Sequence, residues 1–193
     1  MTQSTSNSVS IRLKSGGHSF STTELDVVRG ATLPVEVVTL TAKSTLVPVE
    51  FFDAEHAADY LAEVGLAPSI NEVAVSTVPC NGMVAVMAIN RHCYDELKAS
   101  APAGITFTTP LLDNETMSEG SILHLEHETL YVRIYSNGLR FAEAMECKND
   151  ADVLYYLASI NEVYNIYNTR ARAKGDTACL QRLCKKVFRE LCE

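Results

Sequence analysis

A chain of 193 residues holds one large domain or two small lobes, since about 100 to 200 residues is usual per domain. Hydrophobic residues at 47%, charged residues at 21%, 9 Gly and 6 Pro describe a globular protein with a packed core and exclude long low-complexity tracts. A formal charge of -8 argues against a bare electrostatic grip on nucleic acid, which needs clustered cations to displace counterions.

Residues 8–14 (S-V-S-I-R-L-K) alternate apolar and polar as in a half-buried strand, Ser15-Gly16-Gly17 supplies a turn, and residues 18–23 read as the return strand of a hairpin. Residues 36–41 and 44–47 read as a third strand, interrupted near Ala42 and Lys43 and ended by Pro48. Asp53 then caps an amphipathic helix over residues 54–64, with Ala57, Tyr60, Leu61 and Val64 on one face and Gly65 as its stop. Residues 72–78 and 83–89 are β-rich and joined by Pro79-Cys80-Asn81-Gly82, whose Asn-Gly step favours a tight turn. Asn90 caps a short helix to Ala99, and Pro102 and Gly104 break it before a strand over residues 105–108.

Residues 109–120 form the best boundary, rich in breakers, with Leu111, Leu112 and Met117 able to support a short docked helix. A three-strand meander follows over residues 122–126, 129–135 and 139–147, with Asn137-Gly138 as a type I′ turn. Asn149 or Asp150 starts a helix whose stripe is Val153, Leu157, Ile160 and Tyr164, widened by Leu154 and Ala158. Residues 169–173 suggest a short strand, and Asp176 or Thr177 caps a last helix with Leu180, Leu183, Cys184, Val187 and Leu191 inward. A hairpin-then-helix pattern therefore occurs twice, over residues 8–66 and 121–166. The fold class expected is mixed α/β (α+β) in two ribonuclease-H-like lobes, residues 1–110 and a shorter, abbreviated second lobe over residues 111–193.

No apolar run approaches the roughly 18 to 20 residues that span a bilayer, and residues 1–7 are polar, so a cytoplasmic protein without membrane insertion is expected. Six scattered cysteines without a C-x-x-C pair read as reduced, packed thiols, with Cys80 the most exposed. Seven cations crowd the C-terminal stretch: Arg170, Arg172, Lys174, Arg182, Lys185, Lys186 and Arg189. Their ordinary reading is a solvated helix face rather than a partner or phosphate surface. Tyr155, Tyr156, Tyr164 and Tyr167 read as core packing before they read as an interface.

Several segments resemble a bacterial family of unknown function assigned an actin-like fold, the group shared by acetate and sugar kinases, heat-shock ATPases and actin. They are S-I-R-L from Ser10, H-S-F-S from His18, S-T-L-V-P from Ser44, F-F-D from Phe51 and Y-L from Tyr60, then L-Y-V-R-I-Y from Leu130 and D-A-D-V-L-Y-Y-L from Asp150. The resemblance implies two ribonuclease-H-like lobes facing one another. It also implies where a site would be: active members of the superfamily carry Asp-x-Gly after the first strand of each lobe, a carboxylate for the metal's water shell and a glycine that lets backbone amides approach phosphate. Here Arg12 stands where the Asp would be and Lys14 where the first Gly would be.

Loss of ordinary ATP hydrolysis follows, so no catalytic residue is assigned and neither ATP nor magnesium is expected as a cofactor. Should anything grip an anion, it would be Arg12 and Lys14 with the amides of Ser15, Gly16 and Gly17, facing Glu126 and Glu128 as the nearest acids of the opposing turn. No metal site is assigned. At period two His124, Glu126 and Glu128 share a strand face and are weak candidates, although the same alternation describes the wet side of a hairpin whose dry side is Leu123 and Leu125. The function expected is a non-catalytic scaffold or protein-binding module whose partner is another protein, with homo-oligomers compatible. The alternative is a nucleotide- or phosphate-binding protein or ATPase using the interlobe cleft. Nucleic-acid binding through Arg182, Lys185, Lys186 and Arg189 ranks last.

Overall fold

The computed structural model describes residues 10–13 and 22–192. In chain order the first half carries β1 (Ser10–Leu13), α1 (Thr22–Arg29), β2 (Val35–Thr39), β3 (Ser44–Pro48), α2 (Ala57–Glu63), β4 (Glu72–Ser76), β5 (Met83–Asn90), α3 (Arg91–Ser100) and β6 (Ile105–Thr108). The second half carries β7 (Glu119–Glu126), β8 (Thr129–Ser136), β9 (Leu139–Glu146), α4 (Asp150–Tyr164), β10 (Arg170–Gly175), α5 (Thr177–Cys184) and β11 (Glu190–Cys192).

Among the described residues the strands make three sheets. β1, β2 and β6 are all parallel, in that order; β3-β5-β4 is antiparallel; and the second half folds as one five-stranded sheet ordered β11-β10-β7-β8-β9. In that last sheet β7, β8 and β9 form an antiparallel meander while β10 and β11 run parallel to β7. The trio β1-β2-β6 therefore repeats the trio β7-β10-β11, each a first strand with two parallel neighbours added on one side. Among the described residues the chain passes between the halves once, through residues 109–118.

Among the described residues four apolar clusters hold this arrangement. Ile11, Leu13, Val35 and Val37 of the first parallel sheet pack with Val28 of α1 and with Cys93 and Leu97 of α3. On the far side of the antiparallel sheet, α2 buries Ala57 and Leu61 against Val47 and Val86. The second half's core sets Leu123, Leu130 and Val132 against Val153, Leu157 and Ile160 of α4 and Leu180 of α5. A smaller cluster of Leu40, Leu111, Tyr131 and Ala144 joins the two halves. Each fully buried aliphatic side chain here contributes about 1.5 to 3 kcal/mol relative to exposure.

The meander, α3 with its Asn90 cap, and α4 follow the sequence expectations. The Asn90 carboxamide accepts from the Cys93 amide at 3.2 Å, and Asn149 with Asp152 forms a capping box at the start of α4. Asn137 and Gly138 both have positive φ, as a type I′ turn requires.

Other expectations are corrected. The first hairpin's turn and most of its return strand lie outside the described residues, but Thr22 and Thr23 belong to α1, and β1 pairs in parallel with β2. Residues 36–47 are not one bulged strand. The Ser44 hydroxyl donates to the Thr41 carbonyl at 3.0 Å and the Lys43 amide donates to the Thr41 hydroxyl at 3.1 Å, turning the chain from one sheet into another. α2 packs on that antiparallel sheet and so is not the counterpart of α4. No helix forms at Leu111 and Leu112, which are buried as a linking strap. Leu154 and Ala158 lie on the open side of α4, while Tyr164, at the stripe's end, is partly exposed and packs against Phe141 with ring centroids 5.0 Å apart. The last helix stops at Cys184, and residues 190–192 pair with β10 as a strand.

Candidate functional site

The first strands of the two parallel trios bring their C-terminal ends together. There Arg12 of β1 forms an ion pair with Glu126 of β7, joining the two halves, and the other oxygen of Glu126 lies 2.9 Å from Nε2 of His124. Arg12 keeps more than half of its side chain exposed, whereas Glu126 and His124 are mostly covered. Burial, together with the positive charge of Lys174, pulls the His124 pKa down to about 4, with Asp113 opposing and Arg133 and Arg12 adding to the fall. The imidazole is therefore neutral at pH 7, donates from Nε2 to Glu126, and leaves Nδ1 buried without a partner among the described residues. Its ring meets Tyr131 edge-on, with centroids 5.9 Å apart.

The same face of the five-stranded sheet carries a second charged set. Alternation places Arg133 of β8 and Arg172 and Lys174 of β10 on the side away from the α4 core, where Arg133 is almost wholly buried. The strap crosses over them. Arg133 donates from Nη1 and Nη2 to the two oxygens of Asp113, at 2.6 and 2.9 Å, and from Nη1 to the Glu115 carbonyl at 3.1 Å. Lys174 lies 3.2 Å from Asp113 and contacts Glu115, which also pairs with Arg172. Burial opposes ionisation of Asp113, yet Arg133 and then Lys174 hold its carboxyl below the usual range. Lys174, against partial burial and with help from Arg172, does the same for Glu115. On the strap's other side the Cys80 thiol donates to the Asn114 side chain at 3.2 Å.

Arg12 and Glu126, singled out from opposite halves of the sequence, are thus in contact, while Lys14, Ser15, Gly16 and Gly17 lie outside the described residues. Glu128 does not join His124 and Glu126: it sits in the β7–β8 turn with φ +30°, where strand alternation stops. The face these residues share is not wet, since His124 and Glu126 are packed in the groove. Among the described residues no group of three or more His, Cys, Asp or Glu side chains is placed to hold a metal ion. A cavity of about 280 Å³ opens nearby, lined by Leu13, Thr39, Lys43, Glu72 and, from β9, Glu146; the Thr39 hydroxyl is buried there without a partner among the described residues.

The C-terminal cations do not form one surface. Arg172 and Lys174 turn into the groove, Arg170 pairs with Glu190, Arg182 with Asp150, and Lys185, Lys186 and Arg189 are exposed. All six cysteines are free thiols, and burial pushes those of Cys147 and Cys184 up to about 11. Asp113, Glu115 and Arg133 were not anticipated. A signal for them existed: an arginine amid the apolar run L-Y-V-R-I-Y requires a buried acid, and D-N-E in the boundary segment supplies one.

Two halves, each built on a first strand with two parallel neighbours and facing one another at those first strands' ends, define an actin-like architecture of mixed α+β class. The chain belongs to the family described as "Protein of unknown function (DUF3822)", whose model matches residues 34–168. Among solved structures it is similar to a protein of Bacteroides thetaiotaomicron VPI-5482 described as having an actin-like ATPase fold and unknown function. That match has 17% identity and a TM-score of 0.66, and covers 82% of this chain and 67% of the other. It is also similar to the cytoplasmic domain of EpsL, an inner-membrane component of the type II secretion system of Vibrio cholerae, at 17% identity and a TM-score of 0.46, covering 85% and 80% of the two chains. No curated protein sequence matches the chain. Among the described residues no helix is long and apolar enough to cross a membrane.

Proposed function

We propose that this chain is a non-catalytic member of the actin-like fold, working in the cytoplasm as a scaffold or protein-binding module, with residues 1–110 and 111–193 as its two lobes. The observation that carries this reading is the Arg12–Glu126 ion pair. Ligands of open α/β sheets sit beyond the carboxyl ends of parallel strands, and the superfamily's metal-holding carboxylate belongs at the end of the first one. Here a guanidinium takes that position and is neutralised from the opposite half, so the two first strands hold each other rather than a phosphate chain. The partner is another protein, copies of this chain included, and the dispersed C-terminal cations give nucleic acid little to hold.

Thermal melting with and without magnesium-ATP tests the reading. A ligand at about 100 times its dissociation constant stabilises the native state by about 2.7 kcal/mol. No change in melting temperature is expected at millimolar nucleotide. A magnesium-dependent rise would replace this proposal with nucleotide binding, in which Arg12 would have to leave Glu126 for phosphate.

A further inference from the structure

The acid strap and the cations beneath it differ in how they are built. Strand register fixes the cations: Arg172 of β10 lies opposite Ile122 of β7, and Ile122 lies opposite Arg133 of β8, so the two guanidinium stems are two strands apart, about 10 Å, on one rigid face. Lys174 follows in the next row, opposite His124. The two carboxylates come from a segment with no helix or strand of its own, Asp113 reaching Arg133 and Glu115 reaching Arg172 and Lys174. Three cations thus meet two acids, leaving positive charge in excess on a chain whose formal charge is -8. Holding a connector does not by itself call for three cations and two acids, because well-packed apolar side chains in place of a buried ion network often hold as well or better. Just upstream the strap already has such an anchor in Leu111, which is fully buried.

We propose that Asp113 and Glu115 are an intramolecular stand-in for an acidic segment of a partner protein, which binds Arg133, Arg172 and Lys174 through two carboxylates spaced two residues apart and displaces the strap. This rests on the reading of the chain as a protein-binding module and names the chemistry of its partner. The strap's outer side is open: the side chains of Asn114, Thr116 and Ser118 are exposed, and a cavity of about 280 Å³ runs beside it to Arg133 between Leu112, Met117 and Tyr135. Charge pairing of this kind sets register and partner choice, and a tethered acid pair keeps the cations from weaker anions.

The probe is a fluorescent peptide with the strap's own sequence, P-L-L-D-N-E-T-M-S, titrated into the full chain by anisotropy. Glu115→Gln releases Arg172 from its carboxylate and removes one of the two acids on Lys174, whose contact with Asp113 remains, while leaving the Asp113–Arg133 fork in place. It is expected to bind the peptide about tenfold more tightly than the wild type does. Arg172→Gln with Lys174→Gln should abolish binding, as should Asn and Gln in place of the peptide's acids. Asp113→Asn with Glu115→Gln should bind tighter still; if that variant does not fold, the single substitution carries the test. No binding to folded Glu115→Gln protein, equal binding of the neutral peptide, or displacement of the peptide by equimolar inorganic pyrophosphate would each overturn the proposal. None of these outcomes bears on the magnesium-ATP measurement, so the two readings fail separately.

Discussion

A guanidinium at position 12 changes what the end of β1 can hold, and its partner has few other options. Without Arg12, the mostly covered Glu126 keeps, among the described residues, the His124 donor for support. Arg12→Ala and Glu126→Gln are each expected to lower stability by about 1 to 2 kcal/mol, less than for a fully buried pair because Arg12 is solvent-screened. A double-mutant cycle read by urea melts should show coupling of about 0.5 to 1.5 kcal/mol; additivity would mean that the two halves do not meet there. His124 adds a pH dependence of definite sign. Its folded pKa, about 4, lies below the ordinary value of 6.5, so the unfolded chain binds the extra proton between those limits. Stability contributed by the neutral ring is intact above pH 6.5 and is lost as pH falls toward 4, by up to about 3 kcal/mol. His124→Gln should flatten that part of the profile; an unchanged slope would place the proton elsewhere.

At the scale of elements, two glycines bracket the β7–β10 pairing. A Cβ on Gly120 would stand 2.3 Å from the Arg170 carbonyl oxygen, and one on Gly175 would stand 2.2 Å from the Leu125 carbonyl oxygen and 3.0 Å from the His124 ring. Gly175 also has φ +70°, which suits glycine. Gly175→Ala is expected to cost at least about 2 kcal/mol through backbone displacement and left-handed strain, and circular dichroism melts would show it. Neither glycine was legible in the sequence, because each is required by a strand about 50 residues away. The meander was legible, since residues 122–147 alternate at period two around an Asn-Gly step. α1 was not: T-T-E-L-D-V-V-R is rich in β-branched residues, and tertiary packing around the fully buried Val28 overrides their weak helix propensity. β11 was missed for the opposite reason, Leu191 continuing a helical stripe that only pairing with β10 overrules. The Arg12–Glu126 contact was half visible: the residue types were unusual at their positions, but their meeting depends on how the sheets face.

On the scale of the whole molecule, the repeated parallel trio makes each half a structure with its own core, joined by a small apolar cluster and by charge. Every described strand pairing in the five-stranded sheet is made within residues 119–192, and none of the described pairings of the other two sheets reaches beyond residue 108. One crossing of the backbone has a practical consequence. Residues 1–117 and 118–193, produced as separate polypeptides in one cell, are expected to copurify as a nicked but complete protein. Raising ionic strength should split that complex before either fragment melts, because the acids on one piece face the cations on the other.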